Sequence, residues 1–458
     1  MPGKKEVKNN EVPRAAKGMR DLLGKEYYAY QGFFEKASEI SAYYGFKPIE
    51  TPILEETRLY TSGVGESTDI VEKEMYEVKS KGNSQLSLRP EYTAGVIRAY
   101  IENGMQSYSQ PVMLYYYGNC YRHERPQKGR FREFRQFGLE VLGTEKSIAD
   151  AIVIKVAMTI LDEAGHKDLS LQINSIGDKA CRGNYKKELV NYYKRHLNSA
   201  CKDCKIRAKN NPLRLLDCKN PKCQPIKEAA PQSVAYLCEA CKQHFKEVLE
   251  YLENLKIEYT INPSLVRGLD YYTRTVFEIV SKTKLKETGA EAKEVAGEEK
   301  PVESVEADPP ATMGLALAGG GRYDYLAKAI GNKKDVPGIG VGIGVDRVVM
   351  SETFNENLVP RILKKPKVFF IQLGFSAKLH SLAIIEILRK AKVPLLQSLS
   401  KDSLGTQLST AEKLKIPYTI ILGQKEVIDG TVIVRNMDNR SQEEIKVEKL
   451  ADYVKKLK

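Results

Sequence analysis

The chain has 458 residues, more than one ordinary domain contains, so we expect two or three domains. Its net charge of +13 indicates an anionic partner such as a nucleic acid, with general solubility as the alternative explanation. No run approaches the ~20 apolar residues of a membrane span, and the polar stretch 1–23 lacks the apolar core of a secretory signal, so we expect a cytoplasmic protein with no membrane partner.

The first half of the chain alternates between helical and strand patterns. Apolar residues recur at helical spacing over 26–46, which predicts a helix, and a short strand follows around Ile49. Residues 112–142 have the pattern of a strand, a tight basic loop and a second strand. Residues 148–164 return to helical periodicity.

The basic loop and its descending strand carry the first candidate site. Six basic side chains, counting His123, occupy the twelve positions from Tyr121 to Arg132. In the strand that follows, Gln136, Gly138 and Glu140 share one face, and we expect Gly138 to leave room there for a small ligand. Arg122, on the facing strand, would reach a phosphate beside that ligand. A solvated charged hairpin is the alternative interpretation.

Two further clusters have the chemistry of a binding site. In extended backbone Glu91 and Thr93 point the same way, which gives an acceptor pair suited to an ammonium group. Arg267 stands beside a glycine and is followed by Tyr271 and Tyr272, a pattern that suits a charged ligand between aromatic walls. The alternatives are surface decoration for the first cluster and a turn before a strand for the second.

Two glycine-rich segments follow. Three successive glycines precede Arg322-Tyr323-Asp324 and permit close approach of the backbone to a ligand, or form a tight turn. From Gly338 to Gly344 the glycines alternate, so they line one face of a strand that leads to a helix carrying Arg347. We expect this face to stack on a flat ring such as adenine; close contact between the strand and the helix is the alternative.

The last ninety residues alternate between strands and helices, which predicts an α/β domain over 365–458. This segment contains 17 Lys/Arg and 10 Asp/Glu and so carries +7 of the net charge. Residues 283–310 contain four lysines, eight Asp/Glu and few apolar residues, which predicts a disordered surface loop.

The cysteines are clustered. Six of the eight fall within 41 positions, and they are Cys201, Cys204, Cys218, Cys223, Cys238 and Cys241. Without an export signal such clustering favours metal over disulfides, so we predict one structural zinc bound by four of the six, away from the chemistry. Spacing favours the pairs 201/204 and 238/241, with 218/223 able to replace either. Unliganded thiols are the alternative.

Taken together, these segments resemble the histidyl-tRNA synthetase family of class II aminoacyl-tRNA synthetases. Pro52 is similar to the proline of class II motif 1, residues 122–140 to motif 2 and 338–347 to motif 3. Residues 267–272 and 320–324 are similar to the two histidine-specific motifs of the family, and 421–426 to its anticodon-binding domain.

The resemblance implies an α+β fold with an antiparallel-sheet catalytic domain over 1–364 and an α/β anticodon-binding domain over 365–458. The catalytic domain would hold an inserted helical, Cys-rich module over about 170–262 and the disordered acidic loop over about 283–310. The chain would be a homodimer that activates L-histidine with ATP and Mg²⁺ and transfers it to tRNA. A non-catalytic regulatory paralogue is the alternative.

The resemblance also implies residue roles. Glu91, Thr93 and Gln136 would hold the histidine α-amino group. Glu140 and Tyr272 would bind the imidazole, with Tyr271 and Tyr323 closing the pocket. Arg122 and Arg267 would act on the α-phosphate of ATP, Arg347 on its γ-phosphate, and Arg130 would assist. Arg125 and Gln127 would meet the tRNA acceptor end. Tyr325 stands where the family usually has glycine, and we expect it to narrow the pocket margin.

Overall fold

The structure is a computed structural model that describes residues 12–66, 68–79, 81–82, 84–286, 314–361, 365–399 and 402–457. The chain forms two compact units, Met1–Pro360 and Arg361–Lys458.

The strands of the first unit are β1 (Lys47–Pro48), β2 (Leu54–Glu56), β3 (Glu77–Lys79), β4 (Gln85–Leu88), β5 (Val112–Tyr121), β6 (Glu133–Leu142), β7 (Leu169–Ser175), β8 (Tyr259–Ile261), β9 (Thr273–Ser281), β10 (Leu315–Arg322) and β11 (Gly338–Gly344). Its α-helices are α1 (Gly24–Tyr43), α2 (Thr57–Val64), α3 (Thr93–Glu102), α4 (Ile148–Glu163), α5 (Lys179–His196), α6 (Lys202–Asn210), α7 (Gln224–Glu228), α8 (Glu239–Asn254), α9 (Leu326–Ala329) and α10 (Val345–Val349). A π-helical turn spans Ile70–Glu74, and short 3₁₀ turns include Met105–Ser107 and Pro212–Leu215.

An eight-stranded sheet organises this unit, in the order β1-β5-β6-β11-β10-β9-β7-β8. Its central strands pair antiparallel, while β1 with β5 and β7 with β8 are parallel. The strands predicted within 112–142 and the helices predicted over 26–46 and 148–164 are confirmed as β5, β6, α1 and α4. A separate three-stranded sheet has the order β2-β4-β3.

The period of two along β6 assigns its side chains to two layers. Phe137, Leu139 and Val141 pack into a core with residues of α1, α4 and α8. Leu142 belongs to the core on the opposite face, which contains residues of α2, α3 and α9. Gln136 and Glu140 alternate with the first set, so β6 directs them towards the face where the polar site lies.

The helical module lies between β7 and β8 and begins with α5. Residues 200–241 of this module form α6, α7 and short 3₁₀ turns. A core of their own contains Leu215, Leu216 and Ile226, packed with tyrosines of α5. The chain leaves the module through α8, which joins the main core.

The strands of the second unit are β12 (Val368–Gln372), β13 (Leu395–Gln397), β14 (Tyr418–Leu422), β15 (Thr431–Asn436) and β16 (Gln442–Lys446), and its helices are α11 (Gly374–Lys390), α12 (Leu404–Lys413), α13 (Gln424–Asp429) and α14 (Val447–Lys456). Its sheet has the order β13-β12-β14-β15-β16. The first three strands are parallel, as the α/β alternation predicts, and β15 and β16 add antiparallel. The antiparallel strands were not predicted from the sequence.

The predicted acidic loop lies largely outside the described residues. Of the range 283–310 the structure describes 283–286, where the Lys286 backbone N–H donates to Met350 O over 2.8 Å. Within the described part of the chain, no helix is both long enough and apolar enough to cross a membrane.

Candidate functional site

A cavity of about 960 Å³ opens on the polar face of the large sheet in the first unit. Residues of the hairpin loop, of β6, β9, β10 and β11, and of the helical module line it. The predicted site residues that line it are Glu91, Thr93, Arg122, Arg130, Gln136, Arg267, Tyr271, Tyr272 and Arg347. The structure therefore brings together segments that are up to 256 positions apart in the sequence.

Glu140 lies one layer behind the cavity wall, fully buried. One carboxylate oxygen accepts from Thr93 Oγ1 over 2.8 Å, and the other accepts from the Tyr323 hydroxyl. Burial raises the pKa of Glu140 to about 8, because the hydrogen bonds from Tyr323 and Thr93 offset only part of the lost hydration. Glu140 is thus a buried carboxyl group whose two oxygens both have hydrogen-bond partners within the protein.

The alternating glycines of β11 make the space for these polar side chains. A Cβ at Gly340 would lie 1.7 Å from Glu140 Oε2, one at Gly338 would lie 2.4 Å from the Tyr323 ring, and one at Gly342 would lie 2.9 Å from Gln136 Nε2. The expectation that this whole face stacks on a flat ring is therefore wrong, since protein side chains fill its first part. Of the four glycines of β11, Gly342 and Gly344 line the cavity and Gly338 and Gly340 do not.

Gly138 also has a different role from the one expected. A Cβ there would lie 2.1 Å from the Tyr116 ring, so tyrosine fills the space that was assigned to a small ligand. Tyr116 stacks on Tyr92 with ring centroids 4.1 Å apart and itself lines the cavity. The ligand space lies beside Gln136 instead.

Glu91 and Thr93 both line the cavity, but not from an extended segment. Thr93 begins α3, and the Glu91 carboxylate accepts from the backbone N–H groups of Thr93 and Ala94 over 2.7 and 2.9 Å. Glu91 therefore caps the helix, and the expectation of an extended pair is wrong. The Tyr271 hydroxyl donates to Glu91 over 3.4 Å, which links this cap to the tyrosine pair.

Two arginines from the hairpin share one carboxylate. Arg122 Nη1 lies 3.7 Å from one Glu124 oxygen and Arg130 Nη1 lies 3.5 Å from the other. Arg122 Nε also donates to Pro90 O over 2.9 Å, which fixes its stem. The two guanidinium groups are held by long ion pairs that an anionic ligand can replace.

Arg267 also lines the cavity. Its Nη1 donates to Glu278 Oε1 over 3.0 Å, and a Cβ at Gly319 would lie 2.1 Å from its Nη2. Gly319, the first of the three successive glycines, therefore leaves the space that the Arg267 guanidinium occupies. Arg347, on α10, donates to Ala316 O over 2.8 Å, and burial lowers its pKa, reinforced by the neighbouring Arg130.

Arg322 is a structural residue. It is fully buried, and its Nε and Nη1 donate to Asp150 and Asp324, each over 2.9 Å. Asp150 also lies 3.1 Å from His244 Nε2 on α8. Burial alone would raise the pKa of Asp150, but Arg322 and His244 hold it below its ordinary value. This cluster ties β10 to the module's last helix.

Among the described residues, Arg125, Gln127, Tyr323 and Tyr325 are not part of the cavity wall. Arg125 and Gln127 are exposed on the hairpin loop, and Tyr323 is buried behind the wall with Glu140. Tyr325 was expected to narrow the pocket margin, and that expectation is wrong. Its ring lies instead under Lys179 Nζ, 3.8 Å from the ring centroid, at the start of α5.

The cysteines form two clusters, and their ligand atoms lie within 4.8 Å of one another in each. The first cluster comprises Cys201, Cys204, Cys218 and Cys223, and the second comprises Asp178, Cys181, Cys238 and Cys241. The pairing of 201/204 with 238/241 that spacing favoured is therefore wrong, and 218/223 takes that place. Cys201 and Cys218 line the cavity, so the expectation that the cluster lies away from the site is also wrong.

The first cluster has the geometry of a tetrathiolate site. Cys201 and Cys218 Sγ are 3.8 Å apart, which matches the separation of about 3.8 Å that Zn–S bonds of about 2.3 Å impose on a tetrahedral ion. The backbone N–H groups of Cys201 and Cys204 donate to the sulfurs of Cys223 and Cys201 over 3.3 and 3.5 Å. Such bonds stabilise thiolates.

Sequence reasoning missed three groups of the site. Glu278 is the hydrogen-bond partner of Arg267. It is a charged residue inside the largely apolar strand β9, and that contrast in the sequence could have identified it. Asp178 and Cys181 form the signature of a helix start, with Asp178 accepting from the Ala180 N–H over 2.9 Å. Tyr116 had no signal of its own, because its role follows from the register that places it opposite Gly138.

Comparison with known proteins gives a consistent result. The family model described as Histidyl-tRNA synthetase matches residues 18–290, and that described as Anticodon binding domain matches 367–457. A histidine–tRNA ligase of Acetivibrio thermocellus is 39% identical over 97% of this chain and 100% of its own length, and one of Desulfitobacterium hafniense is 39% identical over 96% of each. The crystal structure of apo S. aureus histidyl-tRNA synthetase is similar with a TM-score of 0.74 at 29% identity, covering 97% of this chain and all of that one.

Proposed function

The chain belongs to the histidyl-tRNA synthetase family, and we propose that it is a histidine–tRNA ligase whose cavity activates L-histidine with ATP and then transfers it to tRNA. The observation that carries this proposal is the single cavity where arginines from the hairpin, the 267–272 segment and α10 meet Glu91, Thr93 and Gln136, with Glu140 directly behind. Cationic groups and an amino-acid pocket are adjacent, as adenylation requires.

In the first step a histidine carboxylate oxygen attacks the α-phosphorus of ATP, and the bond to the β-phosphate oxygen breaks to release pyrophosphate. The attack requires no enzyme nucleophile, so the protein aligns two anions and neutralises charge on the phosphoryl oxygens. Arg122 and Arg267 act on the α-phosphate from opposite sides, Arg347 holds the γ-phosphate, and Arg130 assists. Held in place before reaction, they stabilise the transition state with little reorganisation.

The histidine lies with its α-amino group at Glu91, Thr93 and Gln136, and its imidazole at Glu140 and Tyr272. The pocket is closed by Tyr271 and Tyr323. Since Glu140 is buried, an amino acid without a ring N–H deprives it of the ligand's hydrogen bond where water cannot replace it, which gives discrimination of about 10⁴–10⁵-fold.

In the second step a hydroxyl of the terminal tRNA ribose attacks the adenylate carbonyl, and AMP leaves. Arg125 and Gln127, exposed on the hairpin loop, meet the acceptor end of the tRNA. The second unit, with its match to the anticodon-binding family and its net charge of +9, binds the anticodon end.

Two metals fit the site. Class II synthetases use ATP with Mg²⁺, which supplies charge neutralisation on the phosphates; Glu124 and Glu278 line the cavity with carboxylates of the kind Mg²⁺ binds and would hold it. Cys201, Cys204, Cys218 and Cys223 would hold a structural Zn²⁺ that fixes the module's wall of the cavity. The functional protein is a homodimer, with Pro52 in the motif that forms the interface in the family.

The test is histidine-dependent ATP–pyrophosphate exchange, followed by transfer of labelled histidine to tRNA. Exchange without transfer would limit the proposal to the first step. Binding of histidine by a folded protein with neither reaction would favour the regulatory paralogue.

A further inference from the structure

We propose that Asp178, Cys181, Cys238 and Cys241 form a second structural zinc site, distinct from the tetrathiolate cluster, at the base of the helical module. Their four ligand atoms lie within 4.8 Å of one another. Asp178 Oδ1 is 3.5 Å from Cys181 Sγ and 3.9 Å from Cys238 Sγ. Asp178, Cys181 and Cys241 are buried, with Cys241 0% exposed.

The two distances from Asp178 Oδ1 to sulfur are close to those that a bound zinc ion imposes. Zn–S bonds of about 2.3 Å and Zn–O bonds of about 2.1 Å separate a sulfur and an oxygen on a tetrahedral ion by about 3.6 Å. Three thiolates and one carboxylate complete four-coordination, so no position is left for a substrate or a catalytic water. The site is therefore structural.

The surroundings orient the carboxylate as a ligand. Asp178 Oδ1 accepts from the Ala180 N–H over 2.9 Å and faces the thiols, while Oδ2 lies 3.7 Å from Arg274 Nη2. The Arg274 guanidinium offsets part of the negative charge that three thiolates and a carboxylate leave on a divalent ion.

Capping of α5 does not explain the cluster. A cap requires only Asp178, whereas Cys238 and Cys241 come from the first turn of α8, sixty positions further along the chain. The Cys-x₂-Cys spacing across a helix start also occurs in redox-active disulfides. Here a third thiol, Cys181, and a buried carboxylate converge on the same point, which a two-cysteine redox pair does not need.

The site lies where the chain enters and leaves the module. Asp178 and Cys181 begin α5 directly after β7, and Cys238 and Cys241 begin α8. Arg182, next to Cys181, donates to the backbone carbonyl of Tyr272. The Arg274 N–H donates to Gly177 O over 2.8 Å. A zinc ion here clamps both ends of the module and fixes Arg182 against the segment that carries the tyrosine pair.

The metal content of the full chain, purified from cells without added metal and measured by mass spectrometry, tests the proposal. We expect about two zinc ions per chain, one for each cluster. Cys238→Ser/Cys241→Ser should lose one, and the matched variant Cys201→Ser/Cys218→Ser should lose the other. A wild-type content of only one zinc per chain that stays unchanged in Cys238→Ser/Cys241→Ser would overturn the proposal.

A second measurement uses the unmodified sequence, so it does not depend on the folding of a variant. Alkylation under native conditions, followed by peptide mass spectrometry, should label Cys181, Cys238 and Cys241 after a chelator has removed the zinc and spare them before. Equal labelling of all three with and without the chelator would contradict the site. A mass lower by two hydrogens without reductant, located at Cys238 and Cys241, would identify a disulfide instead.

An effect on activity follows if the proposed function holds. Loss of the second zinc should raise the KM for histidine several-fold through Arg182 and Tyr272, with the KM for ATP little changed. The zinc count does not depend on that function, so a chain that binds about two zinc ions but fails to activate histidine would reject the function and keep the site.

Discussion

Gly340 on β11 lies directly against Glu140 on β6, so that a Cβ at position 340 would stand 1.7 Å from Glu140 Oε2 and 2.9 Å from the backbone oxygen of Leu139. The two residues are register partners in the antiparallel pair. The glycine therefore creates the space that the buried carboxyl group of Glu140 occupies, the group that we propose binds the imidazole.

Gly340→Ala should lower kcat/KM for histidine by about 10²-fold or more, because the methyl group must displace Glu140 or the strand, at a cost of about 1–3 kcal/mol. Steady-state exchange kinetics measure this. Gly183→Ala is the control, since Gly183 is exposed on α5 and an added Cβ meets nothing described within 4 Å. Equal activity of Gly340→Ala and Gly183→Ala would remove Gly340 from the account.

Glu140→Gln should change the pH dependence of stability. The pKa of Glu140 is raised from 4.5 to about 8, chiefly by burial, so the folded protein takes up a proton that the unfolded chain releases. The wild-type free energy of unfolding therefore loses a contribution as pH rises from 4.5 to 8, whereas the glutamine variant has no such loss. Urea unfolding at several pH values should show a difference in favour of the variant that grows by about 3–5 kcal/mol over that window. Parallel profiles would contradict the raised pKa.

Arg267→Ala should lower the rate of adenylation by about 10²–10⁴-fold while the fold survives, because we propose that its guanidinium acts where charge develops on the α-phosphate. Arg267→Lys should recover little, since an ammonium cannot reproduce the planar fork held by Glu278. Single-turnover formation of the adenylate measures both. Arg58→Ala is the control, because Arg58 is 83% exposed and pairs only with Glu56 among the described residues. Near-normal adenylation in Arg267→Ala would exclude it from the catalytic set.

Removal of residues after Pro360 should leave adenylation largely intact and weaken aminoacylation of tRNA. The second unit has cores of its own, and we expect its net charge of +9 to supply phosphate contacts. The truncated chain should therefore show a shallower dependence of tRNA affinity on salt concentration. Unchanged affinity with the same salt slope would show that the second unit does not bind the tRNA.

The sequence predicted those parts of the fold and site that local pattern determines. The sequence pattern predicted β5, β6 and α4 correctly because each of these elements has a buried face, and its apolar residues follow that face. Local pattern also singled out most side chains of the cavity, among them Arg122, Gln136 and Arg267, and the resemblance to a family supplied their roles.

Contacts between distant segments were not accessible in the same way. Spacing along the chain favoured Cys201 and Cys204 with the 238/241 pair, but the module's own core packs them beside Cys218 and Cys223. The pattern around Gly138 indicated open space, and only the register with Tyr116 shows that a ring occupies it.

ATP–pyrophosphate exchange by the full chain, run with each of the twenty amino acids in turn, tests the central claim most directly. We predict Mg²⁺-dependent exchange with L-histidine and exchange weaker by about 10⁴-fold or more with amino acids that lack a ring N–H, because those cannot make the proposed hydrogen bond to buried Glu140. Exchange driven by another amino acid and not by histidine, or by none of the twenty with a folded protein, would contradict the account.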